Sequence, residues 1–275
     1  MEAKELCKKF GIVPSKSKGQ NFLIDGNIVN KIIASSNLKL DDVVLEIGPG
    51  LGFLTEKLLS SAGKVIAIEL DRKASSMLRE RFAKEIKSGK LSLVEEDVLK
   101  VNFSTIGLSD FKFKLVANLP YSITSKIFRL FLEAGPRPSE MVVMIQKEVA
   151  RRIIAKPGDM SLLSLSVQLY SDPEVLFDVS PNCFWPAPEV DSSVIKLKLK
   201  KDVNPADYKL MFRLARMGFA SKRKQLHNNL SGGLSKDNEA IKKIISELGW
   251  NEKIRAQDLS VPDWVTLSKH IQELL

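Results

Sequence analysis

Cysteine and histidine are scarce in this 275-residue chain, which contains two of each. Cys7 and Cys183 lie far apart in the sequence, and neither His227 nor His270 has a neighbour at the spacing of metal ligands. A disulfide framework and a zinc site are therefore disfavoured, and we expect no metal. We also expect His227 to have a structural or solvated role, so that any catalytic mechanism works without histidine.

Long hydrophobic runs are also missing. The apolar run at 141–145 is among the longest, whereas a transmembrane helix needs about 20 apolar residues. The first ten residues alternate charged and apolar side chains and lack the apolar centre of a secretory signal. The sequence therefore predicts a cytoplasmic protein without a membrane span.

Acidic residues are fewer than basic ones. The chain has 33 Asp and Glu and 42 Lys and Arg, which gives a net charge of +9. Such an excess favours a polyanionic partner, with nucleic acid first and an anionic membrane surface second, because neutralised phosphates release counterions. An ordinary basic surface is the simpler alternative. The charge is concentrated at residues 213–225 and in the N-terminal lysines Lys4, Lys8, Lys9, Lys16 and Lys18.

Strand and helix patterns alternate through the first half of the chain. Short β-branched runs ending in glycine or a polar residue read as buried parallel strands, and the segments between and after them have helical spacing. This order predicts an α/β fold with a doubly wound parallel sheet. The predicted strands are 41–48, 63–70, 91–97 and 113–121, and the predicted helices are 52–60, 71–86 and 124–134.

The character of the sequence changes in the second half. Two β-rich arms, 174–180 and 192–200, flank a proline-rich loop and predict a hairpin at the edge of the sheet. The pattern is then helical to the end, so we place a domain boundary near Lys201, dividing the chain into domains 1–200 and 201–275. The predicted helices of the second domain are 206–219, 222–230, 238–248 and 258–274.

Telling residues follow the four predicted strands of the first domain. Ligands of doubly wound sheets bind beyond the carboxyl ends of the strands. The first of these ends is the glycine turn of Gly48, Gly50 and Gly52, where a ligand can approach the backbone. The next three carry Glu69, Asp97 and Asn118.

These residues favour a nucleoside ligand without phosphates. The glycine spacing is G-x-G-x-G, which disfavours an NAD oxidoreductase, and the chain has no phosphate-binding G-K-[ST]. Glu69 is suited to accept hydrogen bonds from ribose hydroxyls and Asp97 from an adenine amine, although either acid alone could equally be a helix cap. S-adenosylmethionine fits these requirements, and its methyl transfer needs mainly a well-positioned acceptor.

The segment Asn118-Leu119-Pro120-Tyr121 can supply that positioning. The exocyclic amine of adenine is a poor nucleophile because its lone pair is delocalised into the ring. The side-chain oxygen of Asn118 and the carbonyl of Leu119 could accept its two protons and expose the lone pair. Pro120 restricts Leu119 to extended backbone, and Tyr121 offers a face for stacking of a flipped base.

At this point the chain resembles the ribosomal RNA adenine dimethyltransferases, and among them the small-subunit type. The resemblance runs from about Ser17 to the C-terminal helices through several long motifs in the family's order. It departs at Ser122 and Thr124 and in the segment 156–168, and Ser122 could alter the position of the base. The motifs are GQNFLID, LEIGPGLGFLT, IELD, EEDVL, ANLPYSITSKIF, MIQKEVARRI, FWPAPEVDSSVI and GFASKRKQLHNNL.

The resemblance implies a Rossmann-like class I methyltransferase domain followed by a small helical RNA-binding domain. It implies that Asn21 and Leu23 contact the methionine end of the cofactor, that Gly48 allows its close approach, and that Glu69 binds its ribose. Asp97 and Asn118 would lie at its base and at the reaction centre. Phe184 would stack on the target adenine opposite Tyr121.

The implied reaction is the transfer of two methyl groups to each of two adjacent adenines near the 3′ end of small-subunit ribosomal RNA. The partner would be the small ribosomal subunit or its precursor, and the enzyme would act as a monomer in subunit biogenesis. The basic side chains of Arg216, Lys222, Arg223 and Lys224 would bind RNA, with Ser221 capping the helix that follows.

Three alternatives share parts of this pattern. A large-subunit RNA methyltransferase of the macrolide-resistance type has the same catalytic motif, but the block at 219–230 and the basic C-terminal module favour the small-subunit reading. A DNA adenine methyltransferase more typically has proline where this chain has Leu119. A non-catalytic assembly factor or a transcription factor of the same fold is disfavoured by the intact Glu69, Asp97 and Asn118.

Overall fold

The structure is a computed structural model that describes residues 2–14 and 20–274. Lys16, Lys18 and Ser17 of the sequence predictions lie outside the described residues. The chain divides into two compact units, of which unit 1 comprises Met1–Ala150 and Asp172–Leu199, and unit 2 comprises Arg151–Ser171 and Lys200–Leu275. The predicted boundary near Lys201 is close to the start of the second segment of unit 2, but unit 2 also takes Arg151–Ser171.

Unit 1 is built on a seven-stranded sheet in the order β4-β3-β2-β5-β6-β9-β7. The first five of these strands run parallel, and β9 pairs antiparallel with β6. A separate two-stranded ribbon joins β1 to β8. The strands are β1 (Phe22–Leu23), β2 (Val43–Ile47), β3 (Lys64–Glu69), β4 (Leu91–Glu95), β5 (Lys114–Asn118), β6 (Glu140–Gln146), β7 (Ser171–Val179), β8 (Phe184–Trp185) and β9 (Ser192–Leu199).

This arrangement confirms the α/β, doubly wound prediction. The chain runs outward from β2 to β4, returns to β5 on the other side of β2, and continues outward to β6, so the order reverses between β2 and β5. The predicted edge hairpin corresponds to β9 and β7, which are neighbours at the far edge. The sequence prediction missed β6 and the pairing of β1 with β8.

Helices cover the sheet and begin where polar caps predict them. Asp71 accepts hydrogen bonds from the backbone N–H groups of Lys73 and Ala74, and Asp25 accepts from those of Asn27 and Ile28, as N-cap residues do. The helices are α1 (Ala3–Phe10), α2 (Gly26–Ser35), α3 (Phe53–Ser61), α4 (Arg72–Arg81), α5 (Ala83–Lys87), α6 (Thr124–Arg129), which continues as one π-helical turn (Leu130–Ala134), and α7 (Lys147–Ile153), which leads into unit 2.

In the described residues of unit 2, the regular secondary structure at Leu162–Tyr170 and after Lys200 consists of helices joined by turns. Their core forms around Trp264, whose side chain is fully buried. Trp264 packs against the ring of Phe219, and a Cβ on Gly218 would lie 2.6 Å from the indole, so this position requires glycine. The helices are α8 (Leu162–Tyr170), α9 (Lys209–Gly218), α10 (Leu226–Leu234), α11 (Asn238–Glu247) and α12 (Val261–Leu274).

The start of α10 corrects one sequence prediction. The helix predicted at 222–230 begins at Leu226, and its N-cap is Gln225, whose side chain makes no capping hydrogen bond. The proposed cap by Ser221 is therefore wrong. The carbonyl of Ser221 instead accepts hydrogen bonds from the backbone N–H of Lys224 and from Nδ2 of Asn229, which closes a turn before the helix.

Glu46 is the most deeply buried acid among the described residues of the sheet. Glu46 of β2 is 1% exposed, and its Oε2 accepts a hydrogen bond of 2.7 Å from the Thr55 hydroxyl. Loss of solvation raises the pKa of the Glu46 carboxyl from 4.5 to about 8. Glu46 is thus protonated at neutral pH in the folded protein, whereas it would be ionised in the unfolded chain.

We predict that Glu46 makes the protein less stable as the pH rises from about 5 to 8. The contribution of Glu46 to the free energy of unfolding is fully present below pH 4.5, the pKa of the carboxyl in the unfolded chain. It falls by about 1.4 kcal/mol per pH unit above that and is lost above the folded pKa of about 8. Glu46→Gln should remove this component of the decline, as measured by urea denaturation at successive pH values. The exposed Glu174→Gln is the control, and parallel curves for Glu46→Gln and the parent would contradict the prediction.

Candidate active site

Two adjoining cavities lie at the carboxyl ends of the parallel strands, where the strand order reverses. The Asn118 cavity is lined by residues that include Asn21, Gly48, Glu69 and Asn118. The Asp97 cavity has a volume of about 310 Å³, and its lining includes Asp97. Gln20, Gly48, Glu69 and Pro120 line both cavities, so the two form parts of one crevice. This is the position at which doubly wound sheets bind their ligands.

The glycine turn after β2 forms the floor of the crevice. Gly48 and Gly50 have φ angles of 66° and 56°, in the left-handed region that favours glycine. A Cβ on Gly48 would lie 3.5 Å from Cγ of Pro120, and one on Gly50 would lie 2.8 Å from the ring of Phe22. A side chain on Gly48 would enter the space beside Pro120, and one on Gly50 would collide with Phe22 of β1.

Glu69 ends β3 and is 7% exposed. Its Oε2 accepts from the backbone N–H of Gly50 at 3.0 Å, and its Oε1 accepts from that of Asp71 at 2.9 Å. Burial raises the pKa of the Glu69 carboxyl, and these two backbone donors act in the opposite direction. The carboxylate is therefore held in a fixed orientation, and each oxygen keeps a lone pair for a further donor.

Asp97 lies two residues beyond the end of β4. Its Oδ1 accepts a hydrogen bond of 3.0 Å from the backbone N–H of Leu99. Around it, the Asp97 cavity is mostly apolar, with Ile47, Leu70 and Ile123 among its lining residues. Leu70 is 66% exposed, which is unusual for a large apolar side chain. An apolar slot with carboxylate acceptors in its lining, Asp97 among them, suits a planar heterocycle that carries an amine.

Asn118 has an unused acceptor. Its Nδ2 donates to the backbone carbonyl of Asn21 at 3.3 Å. Its Oδ1 is buried and has no hydrogen-bond partner among the residues that the structure describes. Buried polar atoms are rarely left unpaired, so an acceptor in this position indicates a ligand donor. The same contact places Asn21 beside Asn118 in the crevice.

The residues after Asn118 turn sharply and remain at the cavity wall. The backbone N–H of Leu119 donates to the carbonyl of Met144 in β6, and the Leu119 side chain is buried. Tyr121 lines the Asn118 cavity, and its hydroxyl shares a hydrogen bond with the Ser192 hydroxyl. Burial raises the pKa of the Tyr121 phenol, which keeps it neutral. Thr124, one of the departures from the family pattern, is buried and donates to the Pro120 carbonyl.

Leu23 and Phe184 meet in the ribbon of β1 and β8, where they are direct register partners. Leu23 lines the Asn118 cavity. Phe184 is 3% exposed and belongs to the hydrophobic core of unit 1, and it lines neither the Asn118 nor the Asp97 cavity. The structure thus brings Asn21, Leu23, Gly48, Glu69 and Asn118 together with Tyr121, whereas Phe184 lies behind this wall.

Gln20 and Glu46 are among the crevice residues that were absent from the sequence prediction. Gln20 lines both cavities, and Glu46 lines the Asn118 cavity beside the glycine turn. An acid inside a β-branched strand, one residue before its end, was the available signal for Glu46, since such a position is normally apolar. Gln20 carries no such signal in the sequence.

The basic cluster of Arg216, Lys222, Arg223 and Lys224 lies in unit 2. All four side chains are exposed. Three of them occupy the turn between α9 and α10, which Asn229 holds by donating from Nδ2 to the carbonyls of Gly218 and Ser221. The predicted structural role of His227 agrees with its burial at 5% exposure and with hydrogen bonds to Asn238 and Gln225.

Across residues 2–14 and 20–274, no group of three or more His, Cys, Asp or Glu side chains is arranged to hold a metal ion. None of the helices in the same ranges is both long enough and apolar enough to span a bilayer.

Comparison with known proteins agrees with this geometry. A protein of Dehalococcoides mccartyi (strain CBDB1), named ribosomal RNA small subunit methyltransferase A, is 43% identical over 271 residues, which cover 97% of this chain and 91% of the relative. A protein of the same name from Bacillus cytotoxicus is 39% identical over 276 residues, which cover 96% of this chain and 94% of the relative.

Solved structures show the same fold. A dimethyladenosine transferase from Plasmodium falciparum superimposes with a TM-score of 0.77 at 29% identity, covering 92% of this chain and 98% of its own. The 23S rRNA methyltransferase ErmE gives a TM-score of 0.70 at 25% identity, covering 92% of this chain and all of its own. The expected Rossmann-like methyltransferase fold with a helical C-terminal part is thus confirmed.

The family model described as "Ribosomal RNA adenine dimethylase" matches residues 14–273, almost the whole chain. This match bears out the resemblance drawn from the sequence motifs. The chain therefore belongs to the ribosomal RNA adenine dimethylase family.

Proposed function

We propose that this protein transfers methyl groups from S-adenosylmethionine to two adjacent adenines near the 3′ end of small-subunit ribosomal RNA, two methyls on each amine. The names of its relatives support the substrate class. The buried, unpartnered Oδ1 of Asn118 is the single observation that carries the mechanism, because it supplies an acceptor where an adenine amine needs one.

Activation of the amine depends on acceptors alone. Asn118 Oδ1 accepts one N–H of the adenine amine, and the Leu119 carbonyl accepts the other, so that the nitrogen lone pair is drawn out of the ring plane. The contact of Asn118 Nδ2 with Asn21 fixes which end of the amide faces the ligand. No histidine takes part, consistent with the burial of His227 in unit 2.

The crevice fits S-adenosylmethionine on two structural grounds. Gly48, in the left-handed region, carries no side chain toward Pro120, and Glu69 presents a carboxylate held by the backbone N–H groups of Gly50 and Asp71. When bound, this cofactor supplies an electrophilic methyl group on a sulfonium. Asn21 and Leu23 hold its methionine end, Gly48 permits its approach, Glu69 accepts from its ribose hydroxyls, and Asp97 accepts from its adenine amine. No metal is needed, and S-adenosylhomocysteine is the product.

The target adenine stacks on Tyr121, and Phe184 is proposed as the second stacking surface. Phe184 belongs to β8, and its side chain is buried in the core of unit 1. It can therefore reach a base only if the ribbon of β1 and β8 shifts when RNA binds. Aromatic stacking contributes about 1–3 kcal/mol per base.

Unit 2 binds the RNA phosphates through Arg216, Lys222, Arg223 and Lys224. The partner is the small ribosomal subunit or its precursor, and the protein acts in the cytoplasm as a monomer during subunit biogenesis. The overall charge of +9 supports a polyanionic partner.

A large-subunit RNA methyltransferase is the second candidate, since the solved 23S rRNA methyltransferase shares the fold. Relatives at higher identity carry the small-subunit name and favour the first. Incubation of the protein with labelled S-adenosylmethionine and either small or large subunits lacking the modification separates the two. We expect label on adjacent adenines of the small subunit, and label on large-subunit RNA alone would overturn the proposal.

Asn118→Ala should lower kcat for methyl transfer by about 10²–10³-fold, the usual effect of removing one hydrogen bond that stabilises a transition state. The Kd for S-adenosylmethionine, measured by calorimetry, should change much less, which also reports that the crevice is folded. Asn102→Ala, at a distant turn of unit 1, is the matched control. Substantial turnover by Asn118→Ala would remove Asn118 from the mechanism.

Glu69→Ala should weaken S-adenosylmethionine binding by about 1.5–3 kcal/mol, or roughly 10- to 150-fold in Kd, because charge-assisted hydrogen bonds to the ribose are lost. Glu95 is its register partner at the end of β4, but it is exposed and lines neither cavity. Glu95→Ala should therefore bind the cofactor like the parent. Equal Kd values for the two variants in calorimetry would place Glu69 outside the cofactor site.

Replacement of Lys222, Arg223 and Lys224 with glutamine should weaken RNA binding and reduce the salt slope, d log K/d log [salt], by about 2–3, since each lost phosphate contact contributes about 0.7–0.9. Binding of S-adenosylmethionine should be unchanged. The control replaces three exposed basic residues of unit 1, Arg79, Lys84 and Lys87, with glutamine. If both triple variants keep the parental slope, the cluster is ordinary surface.

A further inference from the structure

A third cavity of unit 1 lies next to the crevice and has no role in the proposed reaction. This Trp185 cavity has a volume of about 590 Å³ and is lined by Glu2, Ala3, Lys4, Ile24, Phe53 and Trp185. Phe53 also lines the Asn118 cavity, so the two cavities share a wall. A strand of RNA with one nucleotide in the Asn118 cavity would therefore have its neighbour within reach of the Trp185 cavity.

The aromatic surface of the cavity arises from strand geometry. Successive side chains of a strand point to opposite faces, so Phe184 and Trp185 of β8 face in opposite directions. Phe184 enters the core, while Trp185 is half-buried and faces the cavity. Ile24, which is 41% exposed, adds a second apolar surface. One face of the Phe53 ring is covered by the Arg81 guanidinium, 5.2 Å from the ring centroid, which holds that ring in place.

The cavity rim carries one acidic and one basic side chain, Glu2 and Lys4. Lys4 is exposed and forms no ion pair with the residues that the structure describes. The carboxylate of Glu2 accepts from the backbone N–H of Glu5 in the capping box of α1, so it is directed into the helix terminus. A flat apolar surface beside a free ammonium group matches a nucleobase with its phosphate.

We propose that the Trp185 cavity binds the unpaired nucleotide next to the adenine being methylated, with its base stacked on Trp185 and a phosphate near Lys4. This inference rests on the proposed function, in which the two target adenines are adjacent. While one adenine lies against Asn118, the other occupies the Trp185 cavity. Trp185 is thus a substrate-positioning residue, and it favours substrates that carry a second unpaired purine beside the target.

The test compares variants that keep or remove the aromatic ring. Trp185→Leu retains an apolar side chain for packing and should raise the KM for unmodified small subunits about tenfold, with kcat and the Kd for S-adenosylmethionine close to parental values. Trp185→Phe should remain within about threefold of the parent. The control is Phe177→Ala, which removes a half-buried aromatic residue of unit 1 that does not line the cavity.

A change in the RNA gives the decisive measurement. Small subunits reconstituted with uridine in place of the neighbouring adenine should raise the KM of the parent, because a pyrimidine stacks less strongly. On these subunits the increase in KM caused by Trp185→Leu should be smaller, since the effect of Trp185 depends on stacking with the neighbouring base. Equal penalties of Trp185→Leu on both kinds of subunit would overturn the proposal.

A second variant covers the case in which Trp185→Leu fails to fold. Lys4→Gln should weaken RNA binding and lower the salt slope by about 0.7–0.9, whereas Lys57→Gln, an exposed control in α3, should not. If Lys4→Gln keeps the parental slope, the phosphate contact is absent and the site is wrong. If the parent transfers no label to small subunits, the proposed function itself fails. If the parent is active and Trp185→Leu has the parental KM, only the Trp185 site fails.

Discussion

The early separation of β2 from β5 is the constraint on which the site depends. These two parallel strands pair in register only at Val44 with Lys114 and at Leu45 with Leu115, whereas β2 and β3 pair along five successive residues. Beyond Leu45 the two strands form no further ladder pairs, and the segments that follow them line the crevice. The crevice is therefore a product of sheet topology, because adjacent crossovers run to opposite sides at this point.

Two contacts at the edges of the crevice determine its chemistry. Glu69, from the strand on one side, holds the glycine turn through the N–H of Gly50. Asn118, from the strand on the other side, holds the N-terminal segment through the carbonyl of Asn21. Each side chain uses part of its hydrogen-bonding capacity in contacts with the protein, and the rest is available to a ligand. Their orientation is thus fixed before any ligand arrives, which lowers the entropy lost on binding.

Most of the fold and much of the site were predictable from the sequence, because both depend on local patterns. The strands carrying Glu69 and Asn118 are short apolar runs, and their carboxyl ends must meet at one edge of a parallel sheet. The ribbon of β1 and β8 was not predictable, since two-residue strands have no periodicity and their partners are distant in sequence. The burial of Phe184 follows from that ribbon and was missed for the same reason.

Other differences arise where a local preference is overridden. Ser221 is a favourable N-cap by type, yet the helix starts later because Asn229 binds the carbonyls of the preceding turn. The segment Arg151–Ser171 groups with the C-terminal helices although the strand that follows it belongs to unit 1. No single-sequence pattern indicates such a return of the chain, because it depends on contacts between residues far apart, such as the stacked rings of Tyr170 and Phe212.

The Asn229 side chain gives the basic turn of unit 2 a property that charge alone does not provide. Through a single amide nitrogen it joins the end of α9 to the turn before α10, so the intervening backbone is tied at two carbonyls. Ordering a flexible backbone costs about 1–2 kcal/mol per residue, and here that entropy is lost during folding instead of during association. The backbone that carries Lys222, Arg223 and Lys224 is consequently fixed in the folded protein, so a polyanion that bound there would not have to order it.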